Sequence, residues 1–453
     1  MVLKLRLANE IYASLWLLLQ ERYLMLLRAF LASSLLIGCT STIQVAANPV
    51  PDKALAVLVP GSGSYSREIS TKNAQAQAFF DQGLRFAWGF YFPESIASYQ
   101  EAARLEPDHP MPYWGMAHAM GPNPNSRYVG MPDDPLGEGL KAIKKAMERI
   151  DLASPLEAKL IKAMYVLYDQ ASIPDPDIRD QAYLGAMRQL NKEFPKDPDI
   201  AALYAASYMS IGRWDYWDSE GNPKSETMPV AEALEYIIHE DQSHPGVLHL
   251  HIHLIEASLE PERALVSADA LEATVPIAGH VVHMPAHIYV RVGQYAKAIE
   301  SNIRSQAVDL EFAKLWGDYP LPDIGTYPLS HQIHAGHAMD FIRYAATVQG
   351  NSQTAIQTAW DMADRVGSDA NQVRSGQKRV SAPWLVLKIF GKWDELLAKD
   401  STGALKWVMN NTVDGEYQNF KAKGGAYTRK HFFGKHPDAL KLVEDMTDDE
   451  IEN

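Results

Sequence analysis

The chain has 453 residues, 47% of them hydrophobic, and this is enough apolar content over enough length to rule out disorder as the main state. Its formal charge is −14 and its cations are scattered, which disfavours a nucleic-acid groove or a polybasic membrane patch. The one cysteine, Cys39, excludes an intrachain disulfide and any thiolate-based metal site.

The first expected element is a targeting segment. Residues 25–40, MLLRAFLASSLLIGCT, combine a cation at Arg28, an apolar run from Ala29 to Ile37 and a small residue before Cys39. The run is too short to span a bilayer. It resembles a bacterial lipoprotein signal peptide, with Leu36, Ile37, Gly38 and Cys39 matching the lipobox and Met25 a better start than Met1. The resemblance implies lipidation at Cys39 and an anchor in the cell envelope, facing the periplasm, with the outer membrane preferred because Thr40 replaces the aspartate that favours the inner one. Removing residues 1–38 takes away Lys4, Arg6, Arg22 and Arg28 against Glu10 and Glu21, so the charge becomes −14 − 2 = −16. Residues 39–72, with ANPVPDK and PGSGSYS, have the composition of a flexible tether.

From residue 73 to the C-terminus helical periodicity takes over, which predicts an all-α chain. In 76–110, Phe79, Gly83, Phe86, Tyr99, Ala102 and Pro107 sit where a tetratricopeptide repeat places its signature residues, although position 95, usually alanine, is serine. The inter-helix signal of such repeats, Gly followed by a polar residue, recurs at Gly212, Gly293, Gly350 and Gly391. Glycine permits the tight turn, and small residues such as Ala298 and Ala355 let paired helices approach. The expected architecture is a tetratricopeptide-type α-solenoid of divergent pairs. Residues 215–227, DYWDSEGNPKSET, read as a surface loop. Phe86, Trp88, Phe90, Tyr91 and Phe92 read as packing of the first repeat, Asn123 and Asn125 as a turn, and the acidic C-terminal end as a solvated tail.

The centre of the chain carries the chemistry. Eleven of the fifteen histidines lie between His239 and His337, where an even spread would place about three. On a helix His249, His253 and Glu256 fall at i, i+4 and i+7, on one stripe, while His251 points the other way. His283 and His287 repeat the i, i+4 spacing around Pro285, with His280 just upstream. A third pair, His331 and His334, follows Tyr327 and Pro328. Imidazoles so spaced suit zinc, copper, iron or nickel. The candidate metal set is therefore His249, His253, Glu256, His283 and His287, with His331 and His334 as weaker members. Glu256 has three available roles: ligand, orienter of a histidine, or general base on bound water. Tyr289 and Arg291 are candidates for holding an oxyanion or carboxylate. No HExxH, phosphate loop, GxSxG or dinucleotide fingerprint is present.

Three blocks extend beyond a generic repeat: Tyr113-Trp114-Gly115 with Gly121-Pro122-Asn123, His244 to Glu256, and His283 to Gly293. In these the chain resembles a largely uncharacterised group of bacterial tetratricopeptide-repeat proteins that share YWGxA followed by GPN, HPGxxHxxIHxxE and HMPxHIYxRxG. The resemblance covers most of residues 73–395 and implies the fold and the place of the site more than a reaction. Relatives carry aromatics where this chain has Leu250 and His251, and a YPHNxH-like block where it reads YPLSHQIH. The stretch after Ala398 also departs from the helical pair that relatives carry.

Three functions are expected: a binder of a transition metal or small ligand in a His-rich pocket, a metal-dependent hydrolase or oxidase with Glu256 as base, and a scaffold that holds a partner protein's peptide or helix on its concave face with structural histidines. A pH-sensitive contact is a further possibility that histidine chemistry allows.

Overall fold

The computed structural model describes residues 54–124, 135–321, 331–366 and 376–397. The expected lipobox with Cys39, the residue Asn125 and the acidic tail lie outside these. The described helices belong to one compact unit, which begins at Leu55. Among the described residues helices make up all the regular structure apart from isolated bridge residues: Trp217, paired antiparallel with Pro223, and Asn123.

The helices are α1 (Ala74–Trp88), α2 (Phe92–Leu105), α3 (Pro110–Met120), α4 (Pro135–Met147), α5 (Pro155–Tyr168), α6 (Pro176–Glu193), α7 (Pro198–Gly212), α8 (Thr227–Glu240), α9 (Pro245–Ile255), α10 (Leu265–Leu271), α11 (Gly279–His283), α12 (Pro285–Arg291), α13 (Tyr295–Trp316), α14 (His331–Gln349), α15 (Ser352–Val366), α16 (Gly376–Val380), α17 (Ala382–Ile389) and α18 (Trp393–Leu397). Most pack on their successor in the chain, which is the nearest-neighbour stacking of an α-solenoid. The all-α solenoid of successive helices expected from the sequence is the fold that forms.

Local chemistry sets the helix boundaries. Five helices place proline in the first turn directly after a capping side chain: Ser154, Asp175 and Asp197 cap by oxygen, and His109 and His244 by Nδ1 accepting a backbone N–H. Asn73 caps α1 without proline. The Tyr99 ring of α2 covers Gly83 of α1 and Gly115 of α3, where an added Cβ would lie 2.8 Å and 2.5 Å from it. Ser95, the departure from the repeat's alanine, donates its hydroxyl to the Gly83 carbonyl at 2.6 Å and so fastens α2 to α1.

Two expectations need correction. Residues 55–72, which composition assigns to a flexible tether, lie docked on the solenoid. Ala56, Val59 and Ile69 are buried, and Arg67 pairs with Asp197 and Asp199. Three apolar anchors and a buried cation outweigh the Gly, Ser and Pro content. Gly212 does not make an inter-helix turn as Gly293, Gly350 and Gly391 do at positive φ; it ends α7 as a helical residue, and Arg213 and Trp214 take the left-handed conformation instead. The loop after it is the expected surface loop, tied back by Trp217 Nε1 donating to the Leu254 carbonyl at 2.7 Å.

Candidate metal centre

The site is assembled from the C-terminal end of α1, the inner stripe of α9, the kinked α11–α12 segment, and α13 and α14. Pro285 supplies the kink, since it has no N–H to continue the ladder between α11 and α12. The α9 helix is held in place by its cap. His244 Nδ1 accepts the Val247 N–H, so its Nε2–H donates to Asp199 Oδ1 at 3.0 Å. Asp199 also receives Trp88 Nε1 at 3.1 Å, Tyr65 Oη at 2.7 Å and Arg67 Nη1 at 2.8 Å. Burial would raise this carboxyl's pKa, but His244, Arg67 and these hydrogen bonds hold it far below its ordinary value. His244 is thus a structural histidine, and its network fixes Trp88.

Trp88 closes α1 and presents its main-chain carbonyl to His249 Nδ1 at 2.6 Å. That carbonyl is one of the four a helix end leaves without an internal partner. The turn beyond it is a Schellman motif with Phe90, not glycine, in the left-handed position at φ 61°. Such a conformation costs a β-carbon-bearing residue about 1–2 kcal/mol. It places the Phe90 ring against His249, His253 and His280, at centroid distances of 4.4, 6.0 and 5.5 Å. The sequence pattern assigns Phe90 to repeat packing and does not reveal this contact.

Hydrogen bonds fix which nitrogen of each ligand candidate faces inward. His249 Nδ1 donates to the Trp88 carbonyl, His253 Nδ1 to Glu256 Oε1 at 3.0 Å, and His287 Nδ1 to Glu256 Oε2 at 2.5 Å. His283 Nδ1 donates to Asn302 Oδ1 at 2.6 Å, while Asn302 Nδ2 is spent on the Ala298 carbonyl, which settles the amide's orientation. In the neutral rings each Nε2 then carries the lone pair. These atoms converge: His283 Nε2 and His287 Nε2 are 2.9 Å apart, and His249 Nε2 and His280 Nε2 are 3.2 Å apart. His253 Nε2 is buried and has no hydrogen-bond partner.

Two triads result, His249–His253–His280 and His283–His287–His337, each with ligating atoms within 4.8 Å of one another. Burial lowers the pKa of His249 and His253, so both are neutral near pH 7 and able to donate a lone pair. Burial raises the Glu256 carboxyl, but the adjacent His287 and the hydrogen bonds donated by His253 and His287 outweigh it and hold Glu256 well below its ordinary value, so it is ionised.

Four of the sequence candidates, His249, His253, His283 and His287, are therefore brought together, with Glu256 between them. His251 faces away, to Ser267 and Glu235, as its spacing implies. Tyr289 and Arg291 are engaged elsewhere: Tyr289 donates to Asp269 at 2.7 Å and Arg291 to the Ser258 carbonyl at 2.9 Å. The backbone of His331 and His334 begins α14, and their side chains lie outside the described residues. Two members were not named as ligands from the sequence. His280 completes an i, i+3, i+7 stripe with His283 and His287, a readable signal. His337 lies one turn beyond His334, and only the packing of α14 on the α11 segment brings it in.

No family model matches the chain. The chain is 58% identical over 74 residues to the pyruvate dehydrogenase E1 component of Buchnera aphidicola (Schizaphis graminum), 61% over 72 residues to that of Corynebacterium glutamicum, and 56% over 72 residues to that of Escherichia coli K12. Each match covers 16% of this chain and 8% of the enzyme, so the chain spans about 8% of the length of these curated relatives. Among solved structures, the human IFIT1 dimer with PPP-AAAA aligns at 12% identity and a TM-score of 0.32, over 75% of this chain and 73% of that one. The Naa15/Naa10 complex bound to HypK-THB aligns at 12% identity and a TM-score of 0.22, over 80% of this chain and 59% of that one.

Proposed function

We infer that the chain is a metal-binding α-solenoid protein, holding a transition metal such as zinc, copper, iron or nickel on neutral imidazoles of α9, α11, α12 and α14. One observation carries this reading: the Nε2 atoms of His283 and His287 stand 2.9 Å apart although both Nδ1 atoms already donate to fixed acceptors. Two lone pairs at that distance repel unless a proton or a cation lies between them. Two nitrogens bound to one tetrahedral ion at 2.0–2.1 Å sit about 3.3 Å apart, so a small outward shift of either ring admits the ion. Carbonyl, amide and carboxylate acceptors behind the ligating rings are the usual support of a histidine metal site.

Metal-assisted hydrolysis or oxidation is the enzymatic form of the same reading. With both carboxylate oxygens of Glu256 taken by histidines, its role in that reading is orientation. A scaffold role is compatible with it, since a solenoid offers extended surfaces to protein partners. The lipobox-like Leu36–Cys39 stretch supports an envelope location for either.

The test is elemental mass spectrometry on purified, untagged protein after loading with zinc, copper, iron or nickel, beside a His249→Ala/His283→Ala variant. At least one ion per chain, lost in the folded variant, is expected. No metal above background in either protein would overturn the reading.

A further inference from the structure

Resting on the metal reading, we propose that the centre is dinuclear: one ion held by His249, His253 and His280, a second by His283, His287 and His337, with Glu256 orienting one ligand in each set. The six ligating atoms fall into two sets with no shared member. Each set contains its own close nitrogen pair, at 3.2 Å and at 2.9 Å, near the separation that two ligands of one ion require. The two sets are joined through a single carboxylate, Oε1 to His253 and Oε2 to His287. An ion cannot displace Glu256 from either ring without freeing that ring's tautomer, so the carboxylate stays behind the ligands and contributes one negative charge to both ions.

The two positions differ in access. The first triad is closed: His249, His253 and His280 are all buried, and the Phe90 ring lies against each of them. The second opens outward, from buried His283 through half-buried His287 to exposed His337, with Phe341 packed edge-on to His283 and His337. The inner ion is structural in character and holds α9 against α11. The outer ion has three imidazoles and a coordination position that faces solvent, the arrangement that accepts water or a small anion and makes bound water acidic. The ligand class assigned to this position is a small oxygen- or nitrogen-donor anion, hydroxide included.

The experiment uses the full chain loaded with cobalt(II), whose visible spectrum reports coordination, with elemental mass spectrometry for stoichiometry and azide as the anion probe. Two ions per chain are expected in the wild type and one each in His280→Ala and His337→Ala. Azide should change the spectrum of the wild type and His280→Ala and leave that of His337→Ala unchanged. Glu256→Gln should weaken both ions by about 10–100-fold, the usual loss when a supporting partner is removed. One ion in the wild type, absent from both histidine variants, would overturn the dinuclear assignment while leaving the metal reading intact. An equal azide response in His337→Ala would overturn the open outer position. No cobalt in any of the chains would remove both readings together.

Discussion

His283 Nε2 and His287 Nε2 face each other at 2.9 Å while Asn302 and Glu256 accept the protons on the far side of the two rings. The pair is one helical turn apart, so the contact is set by the backbone. What makes it chemical is the pair of acceptors that fixes both tautomers.

Asn302 is the more informative of these acceptors, because it touches no other member of the cluster. Asn302→Leu removes the acceptor for His283 Nδ1–H at nearly constant volume. Metal affinity should fall about 10–100-fold, measured by competition against a chromophoric chelator. Unchanged affinity would show that the tautomer of His283 is fixed by something else.

Gly279 begins α11 with no room for a side chain. A Cβ there would lie 2.2 Å from Asp309 Oδ1, and that carboxylate also accepts the Gly279 N–H at 3.1 Å. Gly279→Ala must displace α11 or Asp309, and overpacking of this kind costs about 1–3 kcal/mol. The thermal midpoint should drop by a few degrees and, since His280 is the next residue, metal content should drop too. A variant with wild-type stability and metal content would contradict the account of α11.

Asp199 holds the docked segment 55–72, α1 and α9 together. Asp199→Ala leaves Arg67 as a buried charge with one partner fewer, and breaking a buried pair of this kind costs about 3–5 kcal/mol. Limited proteolysis should then cut within residues 55–72 before it cuts the helices. The pH dependence has a definite sign: a depressed carboxyl stabilises the fold above its ordinary value of 3.8 and loses that contribution as pH falls below it. A variant as protease-resistant as the wild type would contradict the anchoring role.

Glu94 gives the opposite sign. Burial pushes its carboxyl up to about 8, and its Oε1 has no hydrogen-bond partner. A raised pKa contributes stability that is full below the ordinary value of 4.5 and is lost as pH rises through 8. Glu94→Gln should therefore flatten the decline in thermal midpoint between about pH 5 and pH 9. Parallel declines in the two proteins would assign the effect to another group.

The sequence made the solenoid legible because Gly83 and Tyr99 carry its packing directly and Gly293, Gly350 and Gly391 make its turns at positive φ. It made four ligand candidates legible because i, i+4 spacing needs only one helix. His337 and the Trp88 carbonyl were not legible, since both reach the cluster across tertiary contacts, one from α14 and the other from 161 residues upstream of His249. The docking of residues 55–72 was hidden for the same reason: Arg67 finds its partners 130 and 132 residues later. Gly212 misled because a glycine signals permission to turn, and here its neighbours Arg213 and Trp214 made the turn themselves.

The central claim is that inward-facing Nε2 atoms of fixed tautomer hold a metal. X-ray absorption at the zinc edge on the zinc-loaded full chain tests it most directly. A first shell of nitrogen and oxygen at about 2.0–2.1 Å, with the outer-shell scattering of several imidazole rings, is expected. Zinc surrounded by oxygen alone, without imidazole scattering, would contradict it.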